Sequence, residues 1–259
     1  MIELEHVARS FPNGTRALAD CSLSVRQGEF VSLVGPSGCG KSTVLRLIAG
    51  LDQPSAGTLR VGAAGVPAQG SRPGVPAFSF VFQEPTLMPW ATVFDNVWLP
   101  RRLAGESKTT ARAEVESVLA RVGLEGFATA YPRELSGGMK MRVSIARALV
   151  SRPQVLLMDE PFAALDELTR ERLNQDLLDW CGALGLTVVF VTHSVYEAVY
   201  LSQRVLVMRA RPGRIVGEIT IDEPQPRDQA FRASERFVRW CALASQALRA
   251  AADLPGTTS

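Results

Sequence analysis

Apolar positions along the chain fall into short runs of buried-strand type that alternate with stretches of helical period. Ile2 to Val7 alternates enough to predict a strand, and Leu23 to Val25 predicts another. Phe30 to Val34 is a compact apolar run that stops at Gly35. After it, Val44, Leu45, Leu47, Ile48 and Leu51 recur at helical spacing. The order predicted here is strand, glycine loop, helix. Gly62 to Pro76 is rich in Gly, Ala and Pro and predicts a surface connection, and Phe78 to Phe82 a further strand. From Glu84 to Val150 the character turns helical. Val115, Val118, Leu119 and Val122 share one face, and Met139, Val143, Ala146 and Val150 do much the same. Val155 to Met158 is a buried-strand run ending at Asp159, Leu173, Leu177, Cys181 and Leu184 mark a helix, and Thr187 to Thr192 a strand. Arg204 to Met208 and Ile215 to Ile221 form a pair of strands around Pro212-Gly213. Glu223-Pro224-Gln225-Pro226 breaks the pattern. A last amphipathic helix carries Phe237, Cys241, Ala244 and Leu248, and the tail Pro255 to Ser259 is expected to fray. Strands alternating with helices predict an α/β fold with a mostly parallel sheet covered on both faces.

Composition narrows the classes. The 259 residues are 46% hydrophobic and 21% charged, enough for one large α/β domain or a core with a small subdomain. Net charge is +2 from 28 basic and 26 acidic side chains, short of the basic footprint of a dedicated nucleic-acid binder. The longest unbroken apolar run is Trp240 to Ala244, whereas a spanning helix needs about 20 residues. Met1-Ile2-Glu3-Leu4-Glu5 lacks the basic-then-apolar pattern of a secretory signal. Cys21, Cys39, Cys181 and Cys241 are scattered without a CxxC pair, which argues against a disulfide framework or zinc site and for a reducing compartment. His6 and His193 are the two histidines, too few for a histidine-rich metal centre.

Gly35-Pro36-Ser37-Gly38-Cys39-Gly40-Lys41-Ser42-Thr43 fits the phosphate-binding pattern G-x-x-x-x-G-K-[ST], with an apolar strand before it and an amphipathic helix after it. Its glycines let backbone N–H groups point at phosphate oxygens, and the helix N-terminus adds a favourable partial charge. Lys41 is expected to reach the β- and γ-phosphates of a nucleotide, Ser42 to offer its hydroxyl to Mg²⁺, and Thr43 to touch a phosphate oxygen. Cys39 lies at a helix N-terminus, where a thiol pKa can fall, so alkylation is a route to inactivation beside its simpler role as filler. A second chemical element is the run Val155 to Glu160, which delivers two carboxylates at a strand's carboxyl end, where ligands bind in open α/β sheets. Asp159 suits Mg²⁺, reached through water, and Glu160 suits a general base for water.

A lysine loop and an acidic strand fit kinases, GTPases and helicases equally. Leu135-Ser136-Gly137-Gly138-Met139, ahead of a helix with Lys140, Arg142 and Arg147, separates them. With it, residues 1 to 222 resemble the ATP-binding-cassette (ABC) ATPases, whose signature is LSGG. Gln83 after a strand, Ala164-Leu165-Asp166 after the acidic strand and His193 at a strand end complete the resemblance. The resemblance implies a P-loop NTPase of RecA-like fold, with an antiparallel β subdomain and a helical signature subdomain at about residues 84–150. The ATPase domain is taken as residues 1–225 and a C-terminal helical extension as 226–259. It further implies that Phe11 stacks on adenine, that Ser136, Gly137 and Gly138 close on the γ-phosphate held by Lys41 of a second, identical subunit, and that Asp166 lies at that interface. Gln83 would contact Mg²⁺ or the attacking water, Glu160 would activate the water, and His193 would meet the γ-phosphate. Met141 replaces the Gln usual in relatives, which puts a contact across the dimer in doubt. His6 reads as a strand residue without a partner.

Gln83 to Val93, together with Met158 to Asp166, looks like the importer subgroup for nitrate, sulfonate and taurine, which also includes transporters of pyrimidine vitamin precursors. Leu87, Met88, Pro89 and Trp90 offer apolar area for a coupling helix of a membrane permease. The implied function is the ATP-hydrolysing subunit of an importer of a small anion. It would be peripheral, on the cytoplasmic face of the cell membrane, with a permease, an indirect solute-binding protein and no nucleic acid as partners. A DNA-acting cassette ATPase, the alternative of another class, would insert long coiled coils between Lys41 and Ser136, and no heptads persist there.

Overall fold

The computed structural model describes residues 1–62 and 78–253. Nine strands and eight α-helices are found there: β1 (Ile2–Ser10), β2 (Arg16–Val25), β3 (Phe30–Val34), α1 (Lys41–Ile48), β4 (Ala56–Val61), β5 (Phe78–Val81), α2 (Val93–Leu103), α3 (Lys108–Arg121), α4 (Gly137–Leu149), β6 (Val155–Asp159), α5 (Glu167–Leu184), β7 (Thr187–Val191), α6 (Val195–Leu201), β8 (Arg204–Arg209), β9 (Arg214–Thr220), α7 (Gln229–Arg232) and α8 (Glu235–Asp253). The predicted connection beyond Gly62 and the tail Pro255–Ser259 fall outside the described residues.

Six strands form one sheet in the order β5-β6-β7-β3-β8-β9, and only the β8–β9 pair is antiparallel. Every residue of β3 and β7 is buried, as continuous apolar runs in a doubly covered parallel sheet must be. The pleat sorts these runs between two cores. Phe30, Val34, Leu156, Met158, Val188, Phe190, Val205 and Val207 face one way, toward α2 to α6 and α8. Val31, Leu33, Val155, Leu157, Val189, Val191, Leu206 and Met208 face the other, toward α1 and a separate antiparallel sheet of order β2-β1-β4.

Several elements differ from the sequence reading. β1 and β2 run well past the predicted segments, and β4 and α6 are additional. β4 reads as mostly exposed Ala-Gly-Thr-Leu-Arg-Val, an edge strand whose apolar alternation is limited to Leu59 and Val61. The last helix is preceded by the short α7, with Ala233 and Ser234 between them. Phe237, Cys241, Ala244 and Ala251 of α8 are buried in the larger core, so the C-terminal segment packs on the sheet's helical face. No helix among the described residues is long and apolar enough to cross a membrane. His6 does have a partner: its Nδ1 lies 2.6 Å from Asp20 Oδ1, a contact that holds the Asp20 carboxyl below the usual range.

The β8–β9 turn touches the smaller sheet and the loop before α1. Gly213 exchanges backbone hydrogen bonds with Ala17 and Ala19, and a Cβ there would stand 2.2 Å from Cys39 O and 2.7 Å from Ala17 O. Both obstacles are backbone, so accommodation requires the loop to move. Gly213→Ala is therefore expected to cost about 1–3 kcal/mol in urea unfolding. Gly182→Ala, on α5 with open space around it, is expected to add about 0.5–1 kcal/mol.

Candidate active site

Strand register levels the candidate site. Val81 of β5 pairs with Met158 of β6, Asp159 of β6 with Val191 of β7, and Val191 with Leu33 of β3. The four carboxyl ends thus lie side by side, and the chain leaves them through Gln83, Glu160, His193 and Gly35 respectively. Residues scattered over more than a hundred positions of sequence meet along one edge of a sheet.

After β3 the chain wraps through Gly35 to Gly40 into α1. Gly40 caps the helix at φ +94°, and a Cβ on it would meet Leu18 Cδ2 at 2.6 Å, so both conformation and space call for glycine. Lys41 is 5% exposed, and its Nζ donates to Gly35 O at 2.9 Å and Pro36 O at 3.1 Å. The ammonium is thus folded over the loop whose backbone would surround a phosphate. Ser42 Oγ donates to Asp159 Oδ1 at 3.1 Å, which joins the two motifs that the sequence placed 117 residues apart. One carboxylate and one hydroxyl are hard oxygen donors. They fit a Mg²⁺ that keeps water and phosphate oxygens as its remaining ligands. Burial pushes the Asp159 carboxyl up, and the Ser42 hydrogen bond, Lys41 and His193 oppose it.

Glu160 leaves β6 with φ +48°, an uncommon left-handed conformation for a residue other than glycine, and its N–H donates to Val191 O at 2.9 Å. The turn aims its side chain at β7's exit, where Oε1 lies 2.6 Å from His193 Nε2. The two side chains predicted to serve one reaction are in contact. Gln83 is exposed just beyond β5. Phe11 is half-buried in the β1–β2 turn under the Arg9 guanidinium, 4.8 Å from the ring centroid. Its hairpin also carries Leu18, which packs on Gly40. Cys39 is fully buried and burial raises its thiol pKa, the reverse of the activation suggested by its helix-terminal place.

Ser136 caps α4, its Oγ accepting the Met139 N–H at 3.3 Å. Ser136 and Gly137 are exposed, and Gly138 is buried against Thr169. Their neighbours are Leu165 and Thr169 at the start of α5, and no hydrogen bond among the described residues joins them to the lysine loop. Met141 is 2% exposed and sits in the larger core, so this side chain serves packing.

Two residues to which the motif reading gave no loop-holding role, Arg147 and Asn96, hold the loop after Gln83. Arg147 of α4 donates to Pro85 O at 2.8 Å and Thr86 O at 2.9 Å. Asn96 of α2, fully buried, accepts from Met88 N at 2.8 Å and donates to the carbonyls of Met88, Ala91 and Thr92. Between these anchors Trp90 stands 77% exposed. Arg142, also on α4, pairs with Asp176, so two of the helix's three basic residues are committed within the fold.

Residues 18–163 match the family described as ABC transporter. The chain is 47% identical over 220 residues to the nitrate import ATP-binding protein of Synechocystis, covering 83% of this chain and 81% of that one. It is 46% identical over 216 residues to an aliphatic sulfonates import ATP-binding protein of Pseudomonas syringae pv. tomato, with 83% and 86% covered. A dimeric ATP-binding cassette in a post-hydrolysis state with ADP and Pi superposes with TM-score 0.74 at 33% identity, covering 86% of this chain and 100% of that one.

Asn96→Ala removes one partner from each of four backbone groups at once, leaving Met88 N–H and Ala91 O without the bond it supplied. It is expected to lower stability by about 1–3 kcal/mol, read from the urea midpoint, and to speed amide exchange at Met88.

Proposed function

The chain belongs to the ABC transporter family, and from that premise we propose that it energises import of a small anionic solute, of nitrate or sulfonate type, through a separate membrane permease. It is an ATPase of that family. The observation that carries the reading is the contact of Glu160 with His193 beside the Ser42–Asp159 pair, all at one sheet edge.

Lys41 and the loop Gly35 to Gly40 would bind the β- and γ-phosphates, with Thr43 on a phosphate oxygen and Phe11 against adenine. Ser42 and Asp159, with Gln83 nearby, would hold Mg²⁺, which neutralises charge on the phosphate oxygens when bound. Glu160 takes a proton from the attacking water, and His193, in contact with it, orients that carboxylate and meets the γ-phosphate. Ser136 and Gly137 are exposed, Gly138 is buried beneath them, and no hydrogen bond among the described residues joins the three to their own chain's lysine loop. In our reading they close on the nucleotide of a second copy, with Asp166 between the two. The dimeric cassette that superposes on this chain supports that arrangement.

Trp90 and its neighbours are the proposed seat of the permease. An indole presented on a loop held by Asn96 and Arg147 is a rigid apolar anchor. Arg147 belongs to the signature helix, so motion at Ser136 reaches this seat through packed protein. Held there, the subunit sits on the cytoplasmic face of the membrane, with a solute-binding protein as indirect partner. The solute class follows the names of the nitrate and sulfonate relatives.

Glu160→Gln is expected to cut ATP hydrolysis by about 10²–10⁴-fold while ATP binding persists and dimers accumulate, seen by light scattering with Mg·ATP. Trp90→Ala is expected to leave basal hydrolysis near wild type and to abolish co-purification with the permease. Mass spectrometry of solute captured by the purified importer tests its class: a nitrate- or sulfonate-type anion supports the assignment, and a pyrimidine replaces it.

A further inference from the structure

The loops that leave β6 and β7 are joined by a buried polar bridge that the reaction scheme above does not use. Thr192, 3% exposed, follows β7 and precedes His193, and its hydroxyl donates to Glu197 Oε2. The same hydroxyl oxygen accepts the Ser194 N–H at 3.0 Å. Glu197 is 6% exposed on the first turn of α6, and its other oxygen lies 3.7 Å from Arg170 Nε. Arg170, on α5, donates from its terminal nitrogen to Leu165 O at 2.9 Å. Leu165 precedes Asp166, which caps α5 by accepting the Thr169 N–H at 3.0 Å.

Stability is a poor account of this bridge. Removing the Glu197 carboxylate from water costs several kcal/mol, and a guanidinium nitrogen at 3.7 Å recovers little of it, with Arg170 Nε lacking a hydrogen-bond acceptor and Nη1 turned to Glu167 Oε2 at 3.4 Å. Apolar side chains of similar size would pack there at lower cost. Nor is the pair clamped: Arg170 and Glu197 border a cavity of about 290 Å³, with Asn174, Arg232 and Phe237. Arg170 has room to shift without repacking the core. The bridge links two loops that meet different molecules in the scheme, His193 facing the nucleotide and Asp166 facing the second copy.

We propose that Glu197 and Arg170 are positioning residues that tie the His193 loop to the Asp166 loop, so that docking of the partner subunit sets the place of His193. The inference rests on the roles given above to His193 and Asp166. Glu197 acts through the Thr192 hydroxyl, and Arg170 through the Leu165 carbonyl. Without either, His193 and Asp166 keep their own chemistry and lose their coupling.

The test is steady-state hydrolysis by the full-length chain at dimer-forming concentration, with thermal unfolding in parallel. Arg170→Gln and Glu197→Gln are each expected to lower kcat about tenfold or more, with KM for ATP and the unfolding midpoint close to wild type. The double variant should be no slower than the worse single one. Thr192→Ser keeps the hydroxyl and should retain activity, whereas Thr192→Val should not. Wild-type kcat in Arg170→Gln, or losses that add and follow the unfolding midpoint, would overturn the proposal. Should Glu197→Gln not fold, Arg170→Gln decides alone, because that side chain is 27% exposed and its loss leaves no large void. His193→Ala, run alongside, separates the two levels. If it is inactive while the Arg170 and Glu197 variants match wild type, only the bridge fails; if it is fully active, the assignment of His193 fails with it.

Discussion

The hydrogen-bond register of four adjacent parallel strands is the constraint on which the candidate site depends. A parallel ladder cannot slip by one residue without exchanging its two buried faces, and here both faces are core. The register of β5, β6, β7 and β3 is therefore pinned by burial on each side. What leaves the carboxyl ends is held to about the spacing of neighbouring strands, ~5 Å. That spacing lets Glu160 reach His193 between neighbouring strands, while Ser42 reaches Asp159 from α1, which packs against β6. Glu160 adds a second device, a left-handed turn fixed by its bond to Val191 O. Strain in the backbone at that point is consistent with a residue whose direction matters more than its comfort.

Around this edge, the functional loops are held by side chains that bond to backbone carbonyls of other elements. Arg147 takes Pro85 and Thr86, Asn96 takes Met88, Ala91 and Thr92, and Arg170 takes Leu165. A loop held in this way loses conformational freedom at the folding step, so less must be lost when a nucleotide or a protein docks. The same bonds make the loops follow the helices that hold them. Arg147 moves with α4 and therefore with Ser136, which places the signature, proposed to face nucleotide, and the exposed Trp90 on one mechanical element.

The parts legible in the sequence were those whose signal is local. The buried strands announced themselves as short apolar runs, because β3, β6 and β7 are covered on both faces. The phosphate loop was legible because glycine spacing, lysine and hydroxyl sit within nine residues between a strand and a helix. β4 escaped because its core-facing side is only Leu59 and Val61, too short an alternation to stand out in an otherwise exposed edge strand, and α6 because seven residues hold barely two turns of period. Asn96, Arg147, Arg170 and Glu197 escaped for a different reason. Each is an ordinary polar residue on a helix, and its role arises only from the backbone groups that the fold sets opposite it. Cys39 went the other way: a helix terminus favours the thiolate, but complete burial outweighs that field.

The signature shows how one glycine pair serves two ends. Gly138 is required by packing, since a Cβ there would stand 2.5 Å from Thr169 Cγ2. Gly137 is exposed, and its Cβ position is 3.5 Å from Leu165 Cδ2, an ordinary contact. The first turn of α4 is thereby pressed against the segment Leu165 to Thr169, which makes Ser136, Gly137 and the Asp166 loop one continuous surface. A second subunit cannot meet the signature without also meeting that loop. The Leu165 carbonyl in turn accepts from Arg170, so a force on the shared surface arrives at the guanidinium beside Glu197. Packing at Gly138, a residue chosen for its lack of a side chain, is what brings the proposed inter-subunit surface within reach of the strand end that carries His193.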